Sequence, residues 1–136
     1  MITETEGFGT KNEILRGLYL KYKLTAEDTF KSPQGWTIIT RSGIDKIQAE
    51  ADIKITLKVV PEMTSVTDKF AAVKAIAKMG DKELETFGEA NPANCRQSYI
   101  LSMAEKRARS RCVLMLTGFY AQKVYGEDES EDFKRK

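Results

Sequence analysis

A cluster of cations lies inside an otherwise apolar stretch, YILSMAEKRARSRCVLML at residues 99–116, where Lys106, Arg107, Arg109 and Arg111 fall within six positions. A guanidinium group is a planar fork that matches the oxygens of a phosphate, so the preference for arginine here favours anion binding. If the stretch is helical, Arg107 and Arg111 are neighbours one turn apart, and their like charges repel unless an anion lies between them. The cluster therefore predicts a phosphate-binding edge on a helix.

The same cluster has a second interpretation, as the solvated face of a helix. Glu105 precedes Arg109 by four residues, a spacing that allows an ion pair. Projected at about 100° per residue, the small and apolar side chains form one stripe that we expect to face a sheet. Arg107 and Arg111 then lie at one edge of the helix, and Lys106 points away from the sheet. The stripe consists of Ile100, Ala104, Ala108, Cys112, Met115 and Leu116.

Other cations and rings extend this candidate surface. Lys54 and Lys58 alternate with apolar residues and so fall on the outer face of a predicted strand, and Arg41 begins a predicted helix. Single-stranded nucleic acid is held by positive charge and by aromatic rings on which bases stack, which makes Tyr99 a candidate. Phe87, Trp36 and Tyr120 are alternative platforms. The predicted DNA-binding residues are Lys106, Arg107, Arg111, Arg109, Lys54, Lys58, Arg41 and Tyr99.

The composition removes several classes of enzyme. The chain has no histidine, which excludes histidine-based triads and zinc sites, and it has no glycine-rich phosphate loop. Cys95 and Cys112 lack the spacing of a metal site, and we expect no disulfide. These absences predict a binding protein with no catalytic residue, cofactor or metal. The enzymatic alternative is a magnesium-dependent nuclease built from carboxylates, for which the candidates are Asp68, Glu83, Glu85 and Glu89.

Charge is unevenly distributed along the 136 residues. The net charge is +2, but EDESED at 127–132 holds five acidic residues, and without them 22 basic residues face 15 acidic ones. A basic body with an acidic tail is typical of polyanion-binding proteins with a separate interaction segment. We therefore predict a frayed N-terminus over 1–10, one domain over 11–125 and a disordered acidic tail over 126–136. That tail could dock on a replication or recombination protein, compete with nucleic acid for the basic groove, or act only as a solubilising segment.

Hydrophobic periodicity predicts an α+β fold. Apolar residues recur at helical spacing over 11–22, and Thr25 with Asp28 has the pattern of a capping box. Residues 53–60 alternate as a half-buried strand, and 66–87 form a strand–turn–strand around Gly80 and Asp81. The complete prediction adds a short strand over 36–40, a short helix over 41–52 with Ser42 as a possible N-cap, and a long helix from Asn94 or Asn91 to about Leu116. Its core is a three-stranded antiparallel β-meander packed on the long C-terminal helix (a β-β-β-α core), preceded by short helices.

Two segments carry a resemblance to a known family. TFGEANPAN followed by YILSMAEKRARSRCVLMLTGFY, together with GIDKIQAEADI, resembles phage single-strand annealing proteins of the Rad-fifty-two-like group, which includes the Erf and Sak types. The resemblance covers roughly residues 36–125. It implies a β-β-β-α core, assembly into homo-oligomeric rings, and ATP-independent single-stranded DNA binding and annealing in homologous recombination. The family's Lys-Arg-Ala falls on Lys106, Arg107 and Ala108, and its next basic position falls on Ser110, between Arg109 and Arg111.

Two further functions remain as alternatives. A double-stranded RNA-binding module has a similar order of elements, although its charges lie at the start of its last helix. A single-stranded DNA-binding protein that does not anneal, acting through its acidic tail, would carry the same basic residues. No apolar run approaches the length of a membrane span, and the N-terminus lacks a signal-peptide pattern, so we expect a cytoplasmic protein.

Overall fold

The structure is a computed structural model that describes residues 13–65, 67–92 and 100–129. Within those residues the chain forms three α-helices and two three-stranded sheets. The helices are α1 (Glu13–Lys21), α2 (Arg41–Ala51) and α3 (Ile100–Thr117). The strands are β1 (Thr29–Lys31), β2 (Thr37–Ile39), β3 (Lys54–Val59), β4 (Ala71–Met79), β5 (Lys82–Ala90) and β6 (Val124–Gly126).

The larger sheet is the predicted antiparallel meander, with strand order β3-β4-β5. A turn at Gly80 and Asp81 joins β4 to β5, and glycine suits its position there because its φ is +60°. The register places Lys58 opposite Lys74, which in turn lies opposite Phe87. Because side chains alternate across a strand, these three residues share one face of the sheet.

Helix α3 covers the other face of the meander, as predicted. It packs mainly on β4 and β5, and the approach is closest at Gly88. A Cβ atom at Gly88 would lie 2.3 Å from both the carbonyl oxygen of Ala104 and the amide nitrogen of Ala108. Small residues on both elements therefore let the two backbones meet, and the predicted stripe through Ala104 and Ala108 does face the sheet.

The opposite side of α3 is also buried, which the sequence analysis did not anticipate. Helix α2 and strand β6 of a second sheet, whose strand order is β1-β2-β6, lie against it, and β2 pairs with β6 in parallel. The rings of Tyr19 and Tyr22 pack on Phe119, at centroid distances of 6.2 and 5.9 Å. Helix α3 is thus the centre of the domain, so cations on several of its faces are enclosed by other elements.

Several local predictions are confirmed. Thr25 and Asp28 form the expected capping box around a 3₁₀ turn at Ala26–Asp28, and Gly118 follows the end of α3 with a φ of +97°. The N-cap of α2, however, is Thr40, whose side chain accepts from the amide of Gly43, and Ser42 lies inside the helix. The short strands β1 and β6 were not predicted. The predicted N-cap at Asn94 and the frayed segment 1–10 lie outside the described residues.

Strand β3 differs from the prediction of a half-buried strand. Ile53, just before it, is buried, but Leu57 and Val59 are 36% and 42% exposed. Both project toward the side of the sheet that α3 covers, yet α3 lies over β4 and β5 and leaves the β3 edge open. The alternation was therefore interpreted correctly as a strand, but the apolar side is only partly covered.

The acidic segment begins as ordered structure, which corrects the predicted boundary of the disordered tail at 126. Val124–Gly126 is strand β6, and Glu127–Glu129 continues as a 3₁₀ turn in which Asp128 and Glu129 are buried. Residues 130–136 lie outside the described part of the chain. No helix in the described ranges is long and apolar enough to cross a bilayer.

Candidate nucleic-acid interface

Arg107 is an interior residue rather than part of an exposed groove. Its side chain is only 1% exposed, at the level of the apolar core. The Nε atom donates to the carbonyl oxygen of Asp128 at 2.8 Å, and Nη1 donates to that of Glu89 at 2.9 Å. A buried guanidinium is stable only when its donors are satisfied, and these two carbonyls accept two of its five N–H bonds. The prediction that Arg107 contacts phosphate is therefore not supported by its position.

Arg111 is partly buried and is surrounded by oxygen atoms of the same chain. Its Nε and Nη2 donate to Oε2 of Glu129 at 3.2 and 3.0 Å. Its Nη1 donates to the carbonyl oxygen of Phe87 at 2.7 Å and to Oε1 of Glu89 at 3.0 Å. Burial opposes the charged form, but the carboxylates of Glu129 and Glu89 outweigh it and raise the pKa of Arg111 above its ordinary value. The anion expected between the two arginines is supplied by the protein itself.

The spacing of the two arginines matches the edge of β5. Residues four apart on a helix are separated by about 6 Å along its axis, and residues two apart on a strand by about 6.7 Å. Arg107 and Arg111 can therefore bond the carbonyls of Glu89 and Phe87, which point away from β4 along the free edge. Covering edge carbonyls in this way protects a sheet from pairing with other strands.

The other predicted helix residues have different surroundings. Arg109 donates to Asp45 and Gln48 of α2, both at 2.9 Å, rather than to Glu105, so the predicted pair within the helix is wrong. Lys106 is half-buried. Tyr99 lies outside the described residues. The helix therefore does not bring its four cations together on one exposed surface.

Arg41 joins the acidic segment to the start of α2. Its backbone amide donates to Oε1 of Glu127 at 2.7 Å, and its Nε donates to Oδ1 of Asp128 at 2.7 Å. An acidic side chain at the first turn of a helix is stabilised by the unpaired amides and by the helix dipole. Arg41 itself remains about half exposed, with a side-chain exposure of 46%. The segment Glu127–Glu129 thus connects α2, α3 and β5.

The outer face of β3-β4-β5, opposite α3, carries the exposed cations. Two rows of the register place lysines directly opposite each other, Lys54 with Lys78 and Lys58 with Lys74. Like charges at such positions repel, since their Cβ atoms are about 5 Å apart. Lys54 is paired with Asp52 and Lys74 with Glu85, both at 2.9 Å. Lys58 and Lys78 make no ion pair with any described residue, so each pair keeps one cation for an external anion, although Glu83 lies directly opposite Lys78 on β5.

An aromatic ring completes this surface, which we call the lysine face (Lys54, Lys58, Lys74, Lys78 and Phe87). Phe87 lies in the same row as Lys58 and Lys74 and is 46% exposed. Next to it toward the centre of the face is the half-buried Ile76. The far border is acidic, because Glu83, Glu85 and Glu89 alternate along β5. Positive charge is therefore concentrated over β3 and β4, with a flat apolar surface beside it.

Two of the predicted DNA-binding residues lie on the lysine face, which also contains three residues that were not predicted. Lys54 and Lys58 lie on the exposed face as expected, whereas Lys74, Lys78 and Phe87 were not among the predicted DNA-binding residues. The signal for them was present in AAVKAIAKM, where Lys74, Ile76 and Lys78 alternate with small residues. Once that run is assigned as a strand next to β3, its lysines must join those of β3.

The carboxylates proposed for a nuclease do not converge. Glu83 and Glu85 alternate along β5, and Asp68 interacts with the hydroxyl of Ser65 at 3.2 Å. Among the described residues, no group of three or more acidic or cysteine side chains could hold a metal ion.

The lysine face must be interpreted from its own residues, because no protein-family model, curated protein or solved structure matches the chain.

Proposed function

We propose that this protein binds single-stranded nucleic acid on the lysine face and brings complementary strands together without a nucleotide cofactor. The observation that carries the proposal is the pair of opposed lysines beside an exposed ring. Phosphates neutralise lysines that otherwise repel each other, and a base can stack on Phe87. An open sheet leaves the other bases accessible for pairing, as annealing requires.

The geometry suggests how the strand lies. Lys54 and Lys58 are four residues apart on β3, which corresponds to about 13 Å, and Lys74 and Lys78 are equally spaced on β4. The phosphate backbone would follow β3 and β4, where the lysines are. The acidic side chains of β5 repel phosphates, which directs the bases rather than the backbone toward Phe87. This arrangement favours a single strand over a duplex, whose stacked bases cannot reach the ring.

The first experiment replaces the two lysines that have no ion pair with a described residue. In Lys58→Gln with Lys78→Gln, we expect weaker binding of a single-stranded DNA oligonucleotide. The slope of log affinity against log salt should become shallower by about 1.4, because each phosphate contact contributes about 0.7 for a single strand. Fluorescence anisotropy at several salt concentrations measures both quantities.

A matched control separates this site from general charge. Lys21→Gln with Lys123→Gln removes the same charge at two exposed positions outside the β3-β4-β5 sheet, neither of which makes an ion pair with a described residue. We expect this variant to bind almost as the original protein does. Equal losses in both double variants would refute a defined site on the lysine face.

The ring is tested separately from the charge. Phe87→Leu keeps an apolar side chain but removes the stacking surface, which is worth roughly 1–3 kcal/mol per base. We expect at least about a fivefold loss of affinity, with little change in salt dependence. Phe87→Tyr keeps the ring and should bind nearly normally. If the leucine variant binds as tightly as the tyrosine variant, stacking on Phe87 is not part of recognition.

Annealing and assembly belong to the same proposal and have their own measurements. Pairing of two labelled complementary strands, followed without ATP, should be faster with the protein and slower with Lys58→Gln and Lys78→Gln. Preference for duplex RNA over single-stranded DNA would favour the double-stranded RNA-binding alternative instead. Light scattering gives the solution mass and tests the expected ring, and the proposal places the protein in the cytoplasm of a bacterial or phage-infected cell.

A further inference from the structure

Three consecutive carboxylates occupy donor groups from two other elements. Glu127 accepts from the backbone amide of Arg41, Asp128 accepts from its side chain, and Glu129 accepts from Arg111. Phosphate and carboxylate oxygens are bound by the same guanidinium geometry. The acidic segment therefore lies where an external polyanion could lie.

This arrangement is continuous with the lysine face. Arg111 donates to the carbonyl oxygen of Phe87 at 2.7 Å, so its guanidinium lies at the β5 edge beside the exposed ring. Beyond it, Asp128 and Glu129 connect Arg111 to Arg41. A strand that crosses the lysine face and passes Phe87 would next meet Arg111 and then Arg41, if the acidic side chains were not bound to them.

The contacts differ in how readily they could be exchanged. The Arg41 side chain is about half exposed, so solvent and ligands can reach its guanidinium, whereas its partner Asp128 is buried and also accepts from the hydroxyl of Ser110 at 3.3 Å. Glu129 is buried, and its Oε1 has no hydrogen-bond partner among the described residues, which makes its burial less favourable than that of a fully bonded carboxylate. Arg107 is different, because it bonds a backbone carbonyl of the segment and is enclosed by the core.

We infer that Glu127–Glu129 is an autoinhibitory segment that covers a second phosphate-binding site formed by Arg41 and Arg111. The site takes phosphodiester groups of single-stranded nucleic acid and extends the lysine face beyond Phe87. The segment and the nucleic acid compete for the two arginines, so the bound strand is shorter while the segment is in place. This inference rests on the proposed function for the identity of its ligand.

The test removes the competing charges while keeping side-chain size. In Asp128→Asn with Glu129→Gln, which removes the carboxylates paired with Arg41 and Arg111, we expect several-fold tighter binding of an oligonucleotide long enough to cross both sites. The salt-dependence slope should steepen by about 1.4, which corresponds to two additional phosphate contacts. Glu129→Gln alone, which leaves Arg41 paired with Asp128, should give a smaller increase, and it provides the measurement if the double variant does not fold.

The control removes two negative charges elsewhere on the surface. Glu13→Gln with Glu27→Gln changes two exposed residues that make no ion pair with a described residue. The inference is wrong if this control raises affinity as much as the acidic-segment variant does. It is also wrong if the acidic-segment variant binds with unchanged affinity and slope, which would make the segment a structural clamp only.

A combined variant distinguishes this inference from the proposed function. Asp128→Asn and Glu129→Gln are introduced into the protein that carries Lys58→Gln and Lys78→Gln. If the lysine substitutions leave binding unchanged, the lysine face is not the site. A gain from the acidic-segment substitutions in that background would still support the arginine site, and no gain in either background would overturn it.

Discussion

Replacing Arg107 with alanine tests whether this residue is part of the core or a ligand for phosphate. The substitution removes two hydrogen bonds to carbonyl oxygens and a side chain that is 1% exposed. Hydrogen bonds that involve a charged group contribute about 1.5–3 kcal/mol each, so the two together account for roughly 3–6 kcal/mol. We expect Arg107→Ala to lower the free energy of unfolding by about 4 kcal/mol.

Guanidinium-induced unfolding measures this loss, provided that the denaturant slope stays unchanged. In a chain of this size, about 1 kcal/mol corresponds to roughly 4 °C, so the midpoint of thermal unfolding should fall by about 15 °C. Arg107→Lys keeps the charge but cannot bond both carbonyls with one planar group, and we expect an intermediate loss. Arg109→Ala is the matched control on the same helix, where a partly exposed ion pair is worth about 1 kcal/mol or less. A loss below about 1 kcal/mol for Arg107→Ala would refute the structural role and return Arg107 to the phosphate-binding candidates.

Three further predictions concern packing and protonation. Gly88→Ala places a Cβ 2.3 Å from backbone atoms of α3 and should lower the free energy of unfolding by about 3 kcal/mol or more. Gly17→Ala, in open space on α1, should raise it by about 0.5–1 kcal/mol. Chemical unfolding measures both changes. Burial raises the pKa of the Cys112 thiol to about 11. In a Cys95→Ser variant, a thiol reagent should therefore modify Cys112 only after the protein unfolds. Rapid modification of the native protein would contradict this prediction. Burial opposes ionisation of Asp28, but the hydrogen bonds from Lys46 and Thr25, together with the charge of Lys46, outweigh it and lower the pKa of that carboxyl below its ordinary value. Because a lowered carboxyl pKa stabilises the native state above the unfolded pKa of about 4, Asp28→Asn should lower the melting temperature near neutral pH. The difference should shrink as the pH falls through the native pKa, and a constant difference would refute this origin.

The parts of the fold that depend on local sequence were predictable. The capping box at Thr25 and Asp28 involves residues three apart, and the turn at Gly80 depends on one residue with positive φ. The meander followed from alternation in two neighbouring runs. Strands β2 and β6, by contrast, pair Thr37 with Val124, and no local pattern in three-residue strands indicates such a distant partner.

The site was harder to predict because arginine binds many kinds of oxygen. The sequence indicated that Arg107 and Arg111 need an anion or acceptors nearby, and the structure supplies both. Their partners lie 18 to 24 residues away, at Phe87, Glu89 and the segment 127–129. A phosphate and an internal carboxylate satisfy the same requirement, so residue type alone could not distinguish them.

A second stripe on α3 nevertheless carried information about Arg107. Met103, Arg107, Ser110, Leu114 and Thr117 follow one another at three- or four-residue spacing on the side away from the sheet, and all are buried. Arg107 lies within this stripe, one turn after Met103. A helix with apolar stripes on opposite sides must be covered on both, so a cation inside either stripe is expected to find its partners within the protein. By the same reasoning, the cations available to an external ligand belong on elements with one open side, and β3 and β4 place Lys54, Lys58, Lys74 and Lys78 on such a side.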